Sequence, residues 1–421
     1  MLMNSFIYQY PSGLRLVYKK LDGVRSVGIA VAVGCGSNNE SLDNNGISHF
    51  IEHMTFKGTA TRSAFEIVDE IDGMGAQINA FTSKQMTCYY TISVDDVAED
   101  CLKILSDIIL NSTYPEDELE REKGVVLEEI SMSEDDNADL VLENLSTAYF
   151  EGNTLSMPIL GPRDNVKSFT RQDLINYIRT NYVASDIVIS IVGNIDAERA
   201  KSLVLEYFEG RFATNKDRVW TDIYHVPTSR YVSKFKDIEQ SNIAIAMPAY
   251  EYDNKLSMAM MLVNNIVGGG MSSRLFQEIR EKQGLAYNVY SYPSTYINNG
   301  VTTIYIGTNP ASVCKSLQGV KRLIDQVRKD YLTKAELQKG IRQLKSAYVL
   351  GQENTSAQMR VLSKHALYTG ELFSIDDKIK VIESITMDDV ERVIDDCYDL
   401  SKAVVSYVGQ KVDENLLDCL Q

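Results

Sequence analysis

Histidine is scarce in this chain, with four residues in 421, and basic charge is in deficit: 42 Lys and Arg stand against 58 Asp and Glu, a net charge of −16. A surface built to track phosphates needs the opposite balance, so a general nucleic-acid binder is excluded. The acidic balance suits solubility, or a cavity that attracts basic peptides. No apolar stretch approaches the roughly 20 residues needed to span a bilayer. Met1 to Leu16 has neither a basic region followed by an apolar run nor an Arg-rich pattern, so no targeting signal is expected and the cytoplasm is the expected location. The six cysteines (35, 88, 101, 314, 397 and 419) form no C-x-x-C pair. They are expected to be reduced thiols, mostly packing as small apolar groups. Hydrophobic content of 44% and charged content of 24% are those of a globular protein, and the length suits two domains of roughly 200 residues.

Two of the four histidines stand close together, in His49-Phe50-Ile51-Glu52-His53. On a helix, at about 100° per residue, His49, Glu52 and His53 share one face. Imidazoles at i and i+4 can converge on one tetrahedral metal ion, and the intervening carboxylate can deprotonate a water activated there. The order H-x-x-E-H is the inverse of the commoner H-E-x-x-H zinc motif. His225 and His365 have no ligand-type neighbours and read as ordinary polar residues.

Taken in order, Leu14–Tyr18 alternates like a half-buried strand and Val27–Val33 reads as a fully buried one. Asn44 or Asn45 is placed to cap the helix carrying the histidines. A helix over Ser63–Ile71 precedes paired strands at Gln77–Ser83 and Thr87–Val94, then helices over Val97–Asn111 and from Glu116 to Ser133. On the last of these, Leu119, Val126 and Ile130 mark the apolar face. Glu122 and Glu129 lie along its edge, and Glu128 points away. A third metal ligand from this helix is therefore Glu129 or Glu122, not Glu128. The acidic run Glu134 to Asp139 reads as a solvated loop.

The chain then repeats itself. Ser168–Gly193 aligns without gaps on Ser384–Gly409, with Thr170/Thr386, Asp173/Asp389, Tyr182/Tyr398, Ser190/Ser406 and Gly193/Gly409 among the identities. Two copies of one fold are implied: a first domain over 1–210, a linker over 211–230 and a second domain over 231–421. The second copy lacks the metal motif, because Ser273, Phe276 and Gln277 stand where His49, Glu52 and His53 do. It carries instead Gly268-Gly269-Gly270-Met271-Ser272-Ser273-Arg274, then Arg280 and Tyr287. Those last two are donors able to hold a carbonyl oxygen or peptide backbone, unless they are simply a surface Arg and a core Tyr.

These motifs together resemble the pitrilysin/insulinase-type inverzincin metallopeptidases, and most of all the branch containing mitochondrial processing peptidase and its bacterial relatives. The resemblance rests on His49 through Thr59, on Asn79-Ala80-Phe81-Thr82, on Glu122 with Val126 through Ile130, and on Gly269 through Phe276 with Gly284-Leu285-Ala286-Tyr287. It implies an α+β fold of two homologous domains, each a mostly antiparallel sheet flanked by helices. It also implies one zinc per chain, held by His49, His53 and Glu129, the last 76 residues after His53. Glu52 would be the general base toward the zinc-bound water, and Glu122 a supporting carboxylate. Asn79, Ala80, Phe81 and Thr82 would bind substrate by strand addition, and Arg280 and Tyr287 would contact substrate backbone and the developing oxyanion. A homodimer enclosing a chamber, its active sites shared between subunits, is implied, with peptides as substrates. The competing expectations are a catalytically silent binding subunit of the same fold, or a subunit active only beside a different, metal-less partner.

Overall fold

The structure, a computed structural model, describes residues 4–214, 230–412 and 416–420, which fall into two compact units. The first holds a six-stranded sheet of β1 (Ser5–Gln9), β2 (Arg15–Lys20), β3 (Ser26–Val33), β4 (Gln77–Thr82), β5 (Thr87–Val94) and β6 (Ile187–Gly193). Their order across the sheet is β1-β2-β6-β3-β5-β4, which leaves β4 at an edge. Only the β2–β6 pairing is parallel. On one face, Ile29, Val31 and Val33 pack with α1 (Ile47–Thr55), α2 (Ala64–Gly73), α3 (Ala98–Asn111) and α4 (Glu116–Asp135) into the main core. The opposite face, with Val17, Ala30, Ala32, Val188 and Val192, is covered by Met359, Leu362 and Ala366 of the helix Thr355–Thr369. Burial on both faces explains why β3 is a continuous apolar run and not an alternating one.

The second unit repeats the plan with β7 (Tyr231–Phe235), β8 (Ser241–Pro248), β9 (Ala286–Thr295), β10 (Gly300–Thr308) and β11 (Val404–Gly409), in the order β7-β11-β8-β10-β9. Again one pairing, β7–β11, is parallel. One face packs against the helices Ser257–Val267, Val313–Asp330, Lys334–Leu350 and Met387–Cys397. The other, with Ala244, Ala246, Val404 and Val408, is covered by Leu140, Val141 and Leu145 of α5 (Asn137–Tyr149). The repeat seen in the sequence is visible in detail: Thr170 and Thr386 each close a capping box with the aspartate three residues on, at helices leading to β6 and β11.

The units are not contiguous stretches of chain. The expected division into 1–210 and 231–421 differs from them by an exchange: Gly351–Phe373 belongs with the first unit and Ser131–Ser156 with the second. The reason is burial. Each sheet has two apolar faces, and the helix covering the second face comes from the other half of the sequence. Of the expected linker, residues 215–229, His225 among them, lie outside the described residues.

Two further expectations are corrected. Cys314 and Cys419 form a disulfide across a sequence separation of 105 residues, while Cys35, Cys88, Cys101 and Cys397 remain buried thiols. Spacing cannot reveal a pair that only the folded chain brings together, and this bridge removes the thiol argument for a reducing compartment. The acidic run Glu134 to Asp139 is a helix junction: α4 continues to Asp135, and Asp136 caps α5 by accepting from the amides of Ala138 and Asp139. Among the described residues, no helix is long and apolar enough to cross a membrane.

The helix Thr355–Thr369 should therefore be essential to the first unit. Leu362, 2% exposed against that sheet, should on replacement by Ala lower stability by about 2–5 kcal/mol, read from denaturant midpoints, as for other buried leucines.

Candidate metal centre

The helix carrying the histidines begins in an unusual way. Gly46, at its N-cap, has φ +98°, and a Cβ there would stand 2.7 Å from the Leu160 carbonyl oxygen. Glycine is thus required both by conformation and by space. Neither expected asparagine caps the helix. Asn44 accepts from the Ser41 amide at 2.6 Å, and the Asn45 side chain donates to Glu40 at 2.7 Å. The exposed first-turn amides are met by Glu40 itself, which accepts from the Gly46 and Ser48 amides at 2.7 and 2.8 Å. Sequence reasoning passed over Glu40 because it lies six residues ahead of Gly46, in a polar tract without helical pattern.

From that start the buried residues Ile47, Phe50, Ile51 and Met54 seat α1 in the core and leave His49, Glu52 and His53 on its other face. On α4, Leu119, Val126 and Ile130 are buried, Glu129 is half-buried and Glu128 is exposed. The two helices bring three ligand atoms together. His49 Nε2 and His53 Nε2 lie 3.7 and 3.4 Å from the same Glu129 oxygen, and all three atoms are within 4.8 Å of one another. Ligand atoms around a tetrahedral zinc with bonds near 2.0–2.2 Å are separated by about 3.4 Å, so the set fits the ion.

The electrostatics differ between the two rings. Burial, then the neighbouring His53, lowers the His49 imidazole to about 4, which keeps its lone pair free at neutral pH. Burial acts the same way on His53. There it is outweighed by the hydrogen bond that Glu122 accepts from the ring and by the charges of Glu129, Glu122 and Glu52, so the net shift is upward. His53 Nδ1 lies 2.9 Å from a Glu122 oxygen, leaving Nε2 for the metal, an arrangement that fixes tautomer and ring orientation. Glu122 is almost fully buried and its other oxygen meets Lys57 Nζ at 2.7 Å. Burial would raise this carboxyl; its bonds to His53 and Lys57 prevail and hold it down.

Glu52, beside the ligand set, accepts a hydrogen bond from the Thr82 hydroxyl at 2.5 Å. Burial pushes the Glu52 carboxyl up, opposed by Thr82 and His53. Thr82 ends β4, which among the described residues pairs with β5 alone and stands at the sheet's edge. Asn79, Ala80 and Phe81 lie along that edge strand, with the Ala80 amide held by the Asn79 side chain at 2.8 Å. Arg280 and Tyr287 belong to the second unit. Arg280, on the π-helical turn Phe276–Lys282, lies between the rings of Phe276 and Tyr287, 4.7 and 5.3 Å from their centres. Tyr287 is 72% exposed, so it is no core residue. Thr82 as a partner of Glu52, Lys57 and Glu40 are the contacts that the sequence pattern does not reveal.

The two glutamates make a direct test. Glu129→Gln should abolish stoichiometric zinc binding in equilibrium dialysis, whereas Glu128→Gln should bind like the unaltered chain.

Comparison with known proteins identifies the family. Residues 15–163 match the family model described as insulinase (peptidase family M16), and residues 168–344 match the one described as the peptidase M16 inactive domain. The uncharacterized zinc protease YmxG of Bacillus subtilis is 36% identical over 96% of this chain and 98% of its own length. A Streptomyces coelicolor protein, likewise named an uncharacterized zinc protease, is 36% identical over 92% of this chain and 85% of its own. Two solved structures share the fold at 20% identity. A Helicobacter pylori protease has a TM-score of 0.88, covering 96% of this chain and 99% of that one. A peptidase M16 inactive domain from Pseudomonas fluorescens has a TM-score of 0.91, covering 98% and 99%. The chain belongs to the insulinase family of peptidases, family M16.

Proposed function

We propose that the chain is a zinc-dependent endopeptidase that cuts peptides or unfolded segments admitted to an enclosed chamber. The observation that carries this reading is the convergence of His49, His53 and Glu129 beside a Glu52 carboxylate held by the edge strand β4. Relatives named zinc proteases support the same kind of function. One zinc per chain would act as a Lewis acid toward water and the scissile carbonyl.

The chain's own residues would do the rest. An extended peptide would add to β4, whose main-chain groups tolerate varied sequence. Glu52 would take a proton from the attacking water and deliver it to the leaving amine. Thr82, bonded to Glu52 from the strand that would receive substrate, would couple docking to the orientation of the base. Arg280 and Tyr287 would donate to substrate backbone and to the developing oxyanion. In this reading the chain forms a homodimer, and each distal pair serves the partner subunit's metal centre.

A non-catalytic binding subunit is the second reading, drawn from the inactive-domain match. That match begins at residue 168, beyond the whole ligand set, and the intact set weighs against it.

Cleavage of a quenched peptide library, with and without chelator, separates the two. Glu52→Gln should retain zinc yet lower kcat by at least about 10²-fold, the usual scale for loss of a general base. Equal silence of zinc-loaded wild type and mutant would favour the binding subunit. If sites are shared, mixing Glu52→Gln with Arg280→Ala chains under subunit exchange should restore activity that neither has alone. No recovery in exchanging mixtures would refute sharing.

A further inference from the structure

We infer that Lys57 is a positioning residue of the metal centre, acting through Glu122 on His53; the inference rests on the zinc reading above. Lys57 stands two residues beyond α1, in a turn closed by its amide to the Met54 carbonyl at 3.2 Å, and its side chain reaches the same carboxylate as His53. They meet one carboxylate from opposite ends. Glu122 Oε1 is 2.9 Å from His53 Nδ1 and Oε2 is 2.7 Å from Lys57 Nζ.

Two physical consequences follow. A carboxylate buried to 3% exposure is costly unless its charge is compensated, and a metal-bound His53 would be a neutral donor, which leaves Lys57 as the cation in contact. With both oxygens engaged, the carboxylate cannot turn away from His53 without breaking an ion pair. The ring is thereby held with Nε2 toward Glu129.

The other histidine offers no equivalent control. His49 Nδ1 is buried without a hydrogen-bond partner among the described residues, so orientation of the imidazole pair is set from the His53 side. Nor is Lys57 a free surface charge: its side chain is 27% exposed and its ammonium faces Glu122.

The test is zinc affinity, measured by competition with a chromogenic chelator, on wild type, Lys57→Met, Lys57→Arg, Glu122→Gln and the Lys57→Met/Glu122→Gln double variant. Lys57→Met should raise the zinc Kd by about 10-fold, the lower range for loss of a partner behind a ligand, and Lys57→Arg should restore most of it. In the Glu122→Gln background Lys57→Met should add less than about twofold, because the route it acts through is already gone. The cobalt(II)-loaded protein should show shifted visible bands in Lys57→Met and unshifted bands in Lys57→Arg. Melting of the metal-free variants reports whether each is folded. Unchanged zinc affinity in a folded Lys57→Met chain, or an equal loss with and without Glu122, would overturn the inference. A wild-type chain that binds no zinc would overturn the metal centre as a whole.

Discussion

The hydrogen bonds that Glu40 accepts at the buried start of α1 are the constraint on which the candidate metal centre rests. A helix leaves its first amides without partners, and each one buried unmet costs about 1–3 kcal/mol. α1 starts inside the protein, with Ile47 and Ser48 buried, so water cannot meet them. A carboxylate there satisfies two amides and one side-chain amide at once, and its charge is favoured at the positive end of the helix. Burial alone pushes the Glu40 carboxyl up, and the donors around it pull against that. The left-handed Gly46, packed against Leu160, then sets the direction in which the helix leaves. His49 of the candidate ligand set follows three residues later.

The far end of the helix is held by a second buried carboxylate. Glu122 spans His53 and Lys57, and α1 is thus tied at one end to its preceding loop and at the other to α4. Between the two ties the site divides its work by local electrostatics. Burial keeps His49 neutral, a cluster of carboxylates draws His53 the other way, and Glu52 is raised while bonded to an edge strand. The candidate ligand set is thus held by hydrogen bonds and ion pairs among the protein's own groups.

Neither sheet could supply this rigidity while one face lay open. The inner core seats α1 and α4, and the opposite face is closed by a helix borrowed from the other half of the chain. Small residues permit the approach: Ala30, Ala32 and Ser190 lie beneath the helix Thr355–Thr369, and Ala244, Ala246 and Ser406 occupy the corresponding face of the second sheet. The shared Ser190/Ser406 of the repeat therefore has a packing basis. The Cys314–Cys419 bridge fastens the C-terminal segment to the helix Val313–Asp330 of the second unit.

By itself the sequence determined the ligand helix, the two candidate ligand positions on α4, the strand that lines the site and the duplication. Those features repeat with the period of a helix, the alternation of a strand or a fixed offset, and such patterns survive without coordinates. Helical periodicity turns Glu128 away from the apolar face, and α4 does expose it. Only the tertiary structure decided which residues complete the site: Glu40 under the helix start, Lys57 behind Glu122 and Thr82 on Glu52. It alone also decided the exchange of two helical segments and the pairing of two cysteines. Each of these joins groups from different elements, where local pattern carries no information. Their partners are chosen by burial, which forces a polar group to find whatever donor, acceptor or charge the fold brings within reach.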